Sequence, residues 1–163
     1  MKKIGLISDT HSHLDERVIH HLSSVDEIWH AGDVGRVSLL DELREIAPLR
    51  GVYGNIDDQK VRAQLPEHLV FELEGVRVYI THIGGYPPNY NQRSRPWIER
   101  EKPKLFITGH SHILKVMNDP KRGVLHMNPG AIGKVGFHKV RTFLLFTLDS
   151  GEIKDLKVVE LKR

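Results

Sequence analysis

Apolar residues fall along the chain in short runs of strand length, broken by turns and by a few stretches with helical spacing. Runs at residues 4–7, 27–30 and 49–53 come first, then 69–73, 77–81, 105–108, 114–117, 124–127, 142–148 and 153–161. Glu74-Gly75 and Ser150-Gly151 separate paired runs, as the loops of tight hairpins do. Apolar residues three and four apart mark helices over 15–22 and 37–46, and a third over 89–101 that stops before Pro103. The first half reads strand, helix, strand, helix, strand, and the second half mainly as antiparallel strands. That order predicts an α/β domain with layered sheets and helices outside.

The residues just past the ends of these runs are more specific. Asp9-Thr10-His11 comes after the first, Gly32-Asp33 after the second and Gly54-Asn55 after the third. His82 succeeds 77–81, and Gly109-His110-Ser111-His112 succeeds 105–108. In α/β sheets the carboxyl edge is where ligands bind. Side chains alternate along an extended segment, so Asp9 and His11, and again His110 and His112, are expected to face the same way. The glycines at 32, 54 and 109 permit tight turns and close backbone approach. Each piece alone reads as easily as a cap or a turn. The ordered set does not reduce to unrelated turns, and imidazole nitrogen with carboxylate oxygen suits Mn, Fe, Zn, Co or Ni better than Mg or Ca.

Composition narrows the field. With 163 residues and 39% hydrophobic content the chain reads as one globular domain, 1–163. The absence of cysteine excludes disulfides, thiolate metal sites and thiol catalysis. A net charge of +3 is mild, no basic run stands out, and aromatics are 7%, so a nucleic-acid partner is not expected. The apolar run after Lys2-Lys3 is too short for a secretory signal and ends at Asp9. No segment approaches the ~20 apolar residues of a membrane span, so a cytoplasmic location without a membrane partner is expected. No Gly-x-Ser-x-Gly elbow, P-loop or dinucleotide fingerprint is present.

As a set, Asp9-Thr10-His11, Gly32-Asp33, Gly54-Asn55, His82 and Gly109-His110-Ser111-His112 resemble the motifs of the calcineurin-like metallophosphoesterase superfamily. With Asn128-Pro129-Gly130-Ala131 they are most similar to its small bacterial and archaeal phosphodiesterase branch. The resemblance implies an α/β fold, a four-layer α/β/β/α sandwich of two mixed β-sheets flanked by helices. It implies two divalent transition-metal ions, Mn first, with Fe, Zn, Co and Ni as alternatives. One ion would be held by Asp9, His11, Asp33 and His112, the other by Asp33, Asn55, His82 and His110. Asp33, Asn55 and His110 are the candidate catalytic residues. The implied reaction is in-line attack on phosphorus by a hydroxide held between the ions. Asp9 and Asp33 would leave the ions a net positive charge for the anionic phosphate. A small phosphate ester or nucleotide is the implied substrate, and small family members often form homo-oligomers.

The pattern departs from the family at Ile56, where many members carry a histidine that protonates the leaving group. Leaving groups of low pKa are therefore expected, with aryl phosphodiesters preferred over alkyl monoesters. Asp57 is a candidate partner for a metal ligand, or a turn carboxylate. In the loop 83–97, Arg93 and Arg95 are candidates to grip phosphate and Tyr86 or Tyr90 to stack on a ring, set against the plain reading of an exposed connection. His126 is a candidate to approach the site, and His30 reads as a packed histidine. Two rival readings remain: a protein-interaction scaffold, as in the retromer's phosphoesterase-like subunit, and a nuclease. Retention of all seven family metal ligands argues for an enzyme.

Overall fold

The computed structural model describes residues 1–163. β1 (Lys2–Ile7), β2 (Glu27–His30) and β3 (Leu49–Gly51) lie parallel, linked by α1 (Glu16–Leu22) and α2 (Ser38–Ile46). β11 (Val140–Asp149) and β12 (Glu152–Lys162) join β1 antiparallel, which completes a five-stranded sheet in the order β12-β11-β1-β2-β3. The second sheet runs β4 (His68–Leu73), β5 (Val76–Thr81), β8 (Leu105–Ile107), β10 (Val124–Asn128), β9 (Lys115–Asp119). Its centre is parallel, β5 to β8 to β10, with antiparallel strands only at the edges. The second half is thus less antiparallel than the sequence suggests, because α4 (Arg95–Glu101) carries the chain back between β5 and β8.

Three apolar layers hold the sandwich. Ile4, Leu6 and Trp29 of the first sheet meet Ile80, Ile107 and Met127 of the second. Ile7, Ile28 and Phe143 face outward against Val18, Leu22, Leu39 and Leu43 of the helices. Tyr79 and Phe106 pack beneath Ile98 of α4. Strands covered on both faces lose the apolar–polar alternation, which is why the runs read as continuously apolar. The four-layer α/β/β/α architecture is therefore the one expected. No helix is long and apolar enough to cross a membrane.

Element boundaries differ in identifiable places. The third helix begins at Arg95 rather than 89, with Pro96 in its first turn, where proline's fixed φ fits. Residues upstream form a small hairpin, β6 (Gly85–Tyr86) with β7 (Asn89–Tyr90). β3 stops at Gly51, because the Tyr53 N–H turns to the Pro66 carbonyl at 3.0 Å. β9 is displaced from 114–117 to Lys115–Asp119 by its register, Lys115 opposite Asn128 and Asp119 opposite Val124. The one-turn helix α3 (Gln59–Arg62) lacks a periodic signal and is started by Asp58, whose side chain accepts from Lys60 and Val61 N–H. Both anticipated hairpins form. Glu74 and Gly75 have φ of 51° and 76°, and Ser150 and Gly151 50° and 85°, the left-handed pairs such turns need.

Asp15 caps α1 by accepting from Val18 N–H at 3.2 Å. It also lies 2.9 Å from Nη1 of the fully buried Arg141, whose Nε donates to the Ile132 carbonyl at 2.7 Å. Burial works to raise the Asp15 carboxyl, but bonds from Val18 N–H, His13 and Arg141 hold it down to about 2. A carboxyl depressed by folding contributes stability above its unfolded-state pKa and loses it as pH falls through the folded value. Asp15→Asn is therefore expected to cost roughly 2 kcal/mol at pH 7. Urea midpoints of the two proteins should differ at pH 7 and converge as the pH approaches 2; a constant gap would show that the charge is not responsible.

Candidate metal centre

The carboxyl ends of β1, β2, β3, β5 and β8 converge, so Asp9 and His11, Asp33, Asn55, His82, and His110 with His112 come from five strands to one place. They are not in extended segments. Asp9, His11, Asp33, His110 and His112 have φ of 55°, 43°, 60°, 71° and 62°. The expectation that strand alternation aims each pair is overturned: the side chains are aimed by left-handed turns just past the strands. Such backbone costs on the order of 1 kcal/mol per residue, and the surroundings must impose it. Here they do. The N–H groups of Asp9, His11 and Ser12 donate to the carbonyls of Gly32, Asp33 and Val34 at 2.9, 3.1 and 2.8 Å.

The result is two clusters that touch. Asp9, His11 and His112 form one, Asp33, His82 and His110 the other, each with one potential ligand atom per residue within 4.8 Å of the rest. His112 Nε2 stands 3.2 Å from Asp9 Oδ1. Asp33 Oδ2 is 3.2 Å from His82 Nε2 and 3.5 Å from His11 Nε2, so this carboxylate lies between the clusters. Asn55 Oδ1 is 3.0 Å from His110 Nδ1, against the second cluster. All seven sequence candidates are thus brought together.

The donor set can be tested for a cation by asking which atoms lack partners. Asp9 Oδ1, His11 Nε2 and His82 Nε2 are buried and hydrogen-bonded to nothing. Buried polar atoms are normally satisfied. These three belong to groups that face one another, while the opposite atoms are occupied. Asp9 Oδ2 accepts from the Ser8 hydroxyl at 2.6 Å and from His110 N–H at 3.1 Å. Asp33 Oδ1 accepts from Ile56 N–H at 3.1 Å. His82 Nδ1 donates to the Ala31 carbonyl at 2.7 Å, so in the neutral ring Nε2 carries the lone pair that a metal would take. Nitrogen and oxygen donors with their backs fixed fit divalent transition ions.

Electrostatics agree. Burial works to raise Asp33, but the adjacent His11 and His82 imidazoles hold it far below the usual carboxylate range. The neighbouring Asp33 carboxylate in turn raises His11. Burial opposes protonation of His82, yet Asp33 and Asp9 raise it overall. The two carboxylates draw positive charge into the pocket, and a divalent ion competes there with protons.

Asp57 binds neither cluster directly. Its buried carboxylate accepts from Val34, Gly35 and Gly54 N–H at 3.1, 2.9 and 2.8 Å, which fastens the loop carrying Asp33 to the loop carrying Asn55. Close approach of these loops requires glycine: a Cβ on Gly54 would lie 2.1 Å from Asp33 Oδ1, and one on Gly32, at φ 101°, 2.5 Å from His82 Nδ1. His30 is packed as expected. Its Nδ1 accepts from Gly32 N–H, so Nε2 carries the proton toward Thr10 Oγ1, which donates to Val34 O at 2.8 Å.

The remaining candidates divide. His126 is buried and lines a cavity that also includes His110. Arg93 lines a second cavity with Asn55 and His82, but its guanidinium pairs with Glu67 at 3.0 Å. Arg95 lies exposed in the first turn of α4 and borders neither cavity. Two contributors escaped the sequence. Ser8 bonds Asp9, and His138 sets its ring edge-on to His112, centroids 5.3 Å apart, while donating to the Gly133 carbonyl at 2.8 Å. Ser8 adjoins a motif and was findable; His138 carries no local signal.

Fold and site together define a metal-binding phosphoesterase class, and comparison with known proteins agrees. Residues 1–151 match the family model described as calcineurin-like phosphoesterase superfamily domain. A probable metallophosphoesterase of Methanothermobacter thermautotrophicus is 33% identical over 135 residues, 78% of this chain and 76% of that protein. The chain belongs to the calcineurin-like phosphoesterase superfamily. Two solved structures share its fold: an archaeal phosphodiesterase (22% identity, TM-score 0.76, 96% and 99% of the two chains) and Entamoeba histolytica Vps29 complexed with Zn²⁺ (18% identity, TM-score 0.75, 98% of each).

Asp57→Asn puts an amide where three N–H donors meet a carboxylate. It is expected to destabilise by roughly 1–3 kcal/mol and to weaken divalent-ion affinity about tenfold. Thermal unfolding with and without Mn²⁺, beside calorimetric titration of the ion, would check both; unchanged affinity would separate Asp57 from the centre.

Proposed function

We propose that the protein is a metal-dependent phosphodiesterase, with Asp9, His11, Asp33 and His112 holding one divalent ion and Asp33, Asn55, His82 and His110 a second. The observation that carries this reading is the set of buried, unpartnered ligand atoms facing one another around Asp33. Mn²⁺ is the first candidate, with Fe, Zn, Co and Ni sharing the same donor preference. Two bound ions supply Lewis-acid stabilisation of the phosphate and an activated water as nucleophile. The chain's part is to aim the ligands, through Asp57, the Ala31 carbonyl and the left-handed turns, so that little reorganisation accompanies the reaction.

Ile56 comes directly after Asn55 and is half-exposed at the edge of the centre. It offers its backbone N–H to Asp33 but no side-chain proton for a departing alkoxide. Leaving groups that depart as stable anions are therefore favoured. Metal-stripped protein given Mn²⁺ should hydrolyse bis-p-nitrophenyl phosphate, and Asp33→Asn should lose that turnover by roughly a hundredfold or more. The same protein should handle an aryl diester much better than an alkyl monoester; comparable rates would mean that another group donates the proton.

A second reading has its own observation. Ile113, Val135 and the fully exposed Phe137 present apolar surface on segments that carry or flank His112 and His138. A protein-interaction role, as the Vps29 likeness suggests, would use such surface. Metal binding with no turnover on any diester, for any ion in the series, would favour it.

A further inference from the structure

Two cavities open from the centre on different sides. One, of about 290 Å³, includes His110 in its wall, and the other, of about 170 Å³, includes Asn55 and His82. Ile83, next to His82, lines both and so forms the ridge between them. A phosphodiester at the centre has two ester arms to place, and the two cavities differ in size and chemistry. The smaller is crossed by the Arg93–Glu67 ion pair. The larger is walled by Tyr86, Ile113, Lys115 and His126, drawn from the β6 hairpin, the loop after His112, and strands β9 and β10.

We propose that the larger cavity seats the nucleoside arm of a phosphodiester whose phosphorus lies at the Asp33 cluster. The inference rests on the phosphodiesterase reading. A flat apolar group needs a stacking surface, and Tyr86, a half-exposed residue on the cavity wall, offers one. Lys115 Nζ sits 3.6 Å from the centroid of that ring, which holds the tyrosine in place and lends the cavity positive charge. Ile113, largely exposed, adds a second apolar surface.

His126 separates a nucleoside from a plain aryl group. Its Nδ1 donates to the Phe106 carbonyl at 3.2 Å, so a neutral ring carries its proton there. Nε2 is then an acceptor with no partner in the protein. Burial pushes this imidazole down to about 4, which keeps it neutral at physiological pH. An acceptor on the cavity wall beside a stacking surface suits a ring with N–H or a sugar with O–H donors; a phenyl arm offers neither. Stacking on an aromatic side chain tolerates every base, so the cavity would accept nucleosides with only modest preference among them.

The test compares two diesters with the same leaving group: thymidine 5′-(p-nitrophenyl) phosphate and methyl p-nitrophenyl phosphate. Mn²⁺-loaded wild type should prefer the nucleoside diester in kcat/KM. Tyr86→Ala and His126→Phe, which keeps a ring but removes the acceptor, should each shrink that preference by roughly tenfold, mainly through KM. Tyr86→Phe, which keeps the ring, should retain it. Variants that leave the ratio unchanged would overturn the proposal. If wild type hydrolyses neither diester, the phosphodiesterase reading fails by itself. Calorimetric binding of thymidine 5′-monophosphate then judges the cavity: weaker binding by Tyr86→Ala than by Tyr86→Phe supports it, and equal binding overturns it.

Discussion

Two carboxylates buried side by side are the constraint on which the rest of the structure depends. Asp9 is wholly enclosed and Asp33 nearly so, and their oxygens approach the same histidine nitrogens. Like charges so placed repel, and desolvation adds to the cost unless positive charge is held nearby. Four imidazoles ring the pair, and every hydrogen bond to the far carboxylate oxygens comes from a neutral donor: the Ser8 hydroxyl and the N–H groups of His110 and Ile56. The protein thus keeps the negative charge facing inward without cancelling it. That is the condition for binding cations and, through them, an anionic substrate.

Holding the pair costs backbone strain, and two devices far apart in sequence offset it. Asp57 gathers three N–H groups from two loops, and Arg141 spans from the Ile132 carbonyl to the cap of α1. Each lies outside the cluster and fixes the loops that carry it. The same division explains the glycines: at 32 and 54 any side chain would strike a ligand, so the loops are narrow because the centre is compact.

Much of this was legible in the sequence because strand ends and ligand types are both local signals. Each motif residue sits within a few positions of an apolar run, and those runs are apolar because both sheet faces are covered. The assignment failed where geometry is set by partners distant in the chain. Alternation along an extended strand suggested how Asp9 and His11 are aimed, yet the turns are imposed by carbonyls of residues 32–34. The hairpin at Gly85–Tyr86 and Asn89–Tyr90 was hidden where a loop reading runs into a helical pattern whose helix begins only at Arg95. His138 shows its part only once the chain has folded, when its ring meets that of His112.

The clusters mix early and late residues. Asp9 and His11 share one with His112, and Asp33 shares the other with His82 and His110. Neither cluster can form in an amino-terminal fragment that ends before His110, and the position of that residue depends on β8, which pairs with β5 and β10 in the middle of its sheet. The facing donor atoms are therefore assembled only when both halves of the chain have folded together.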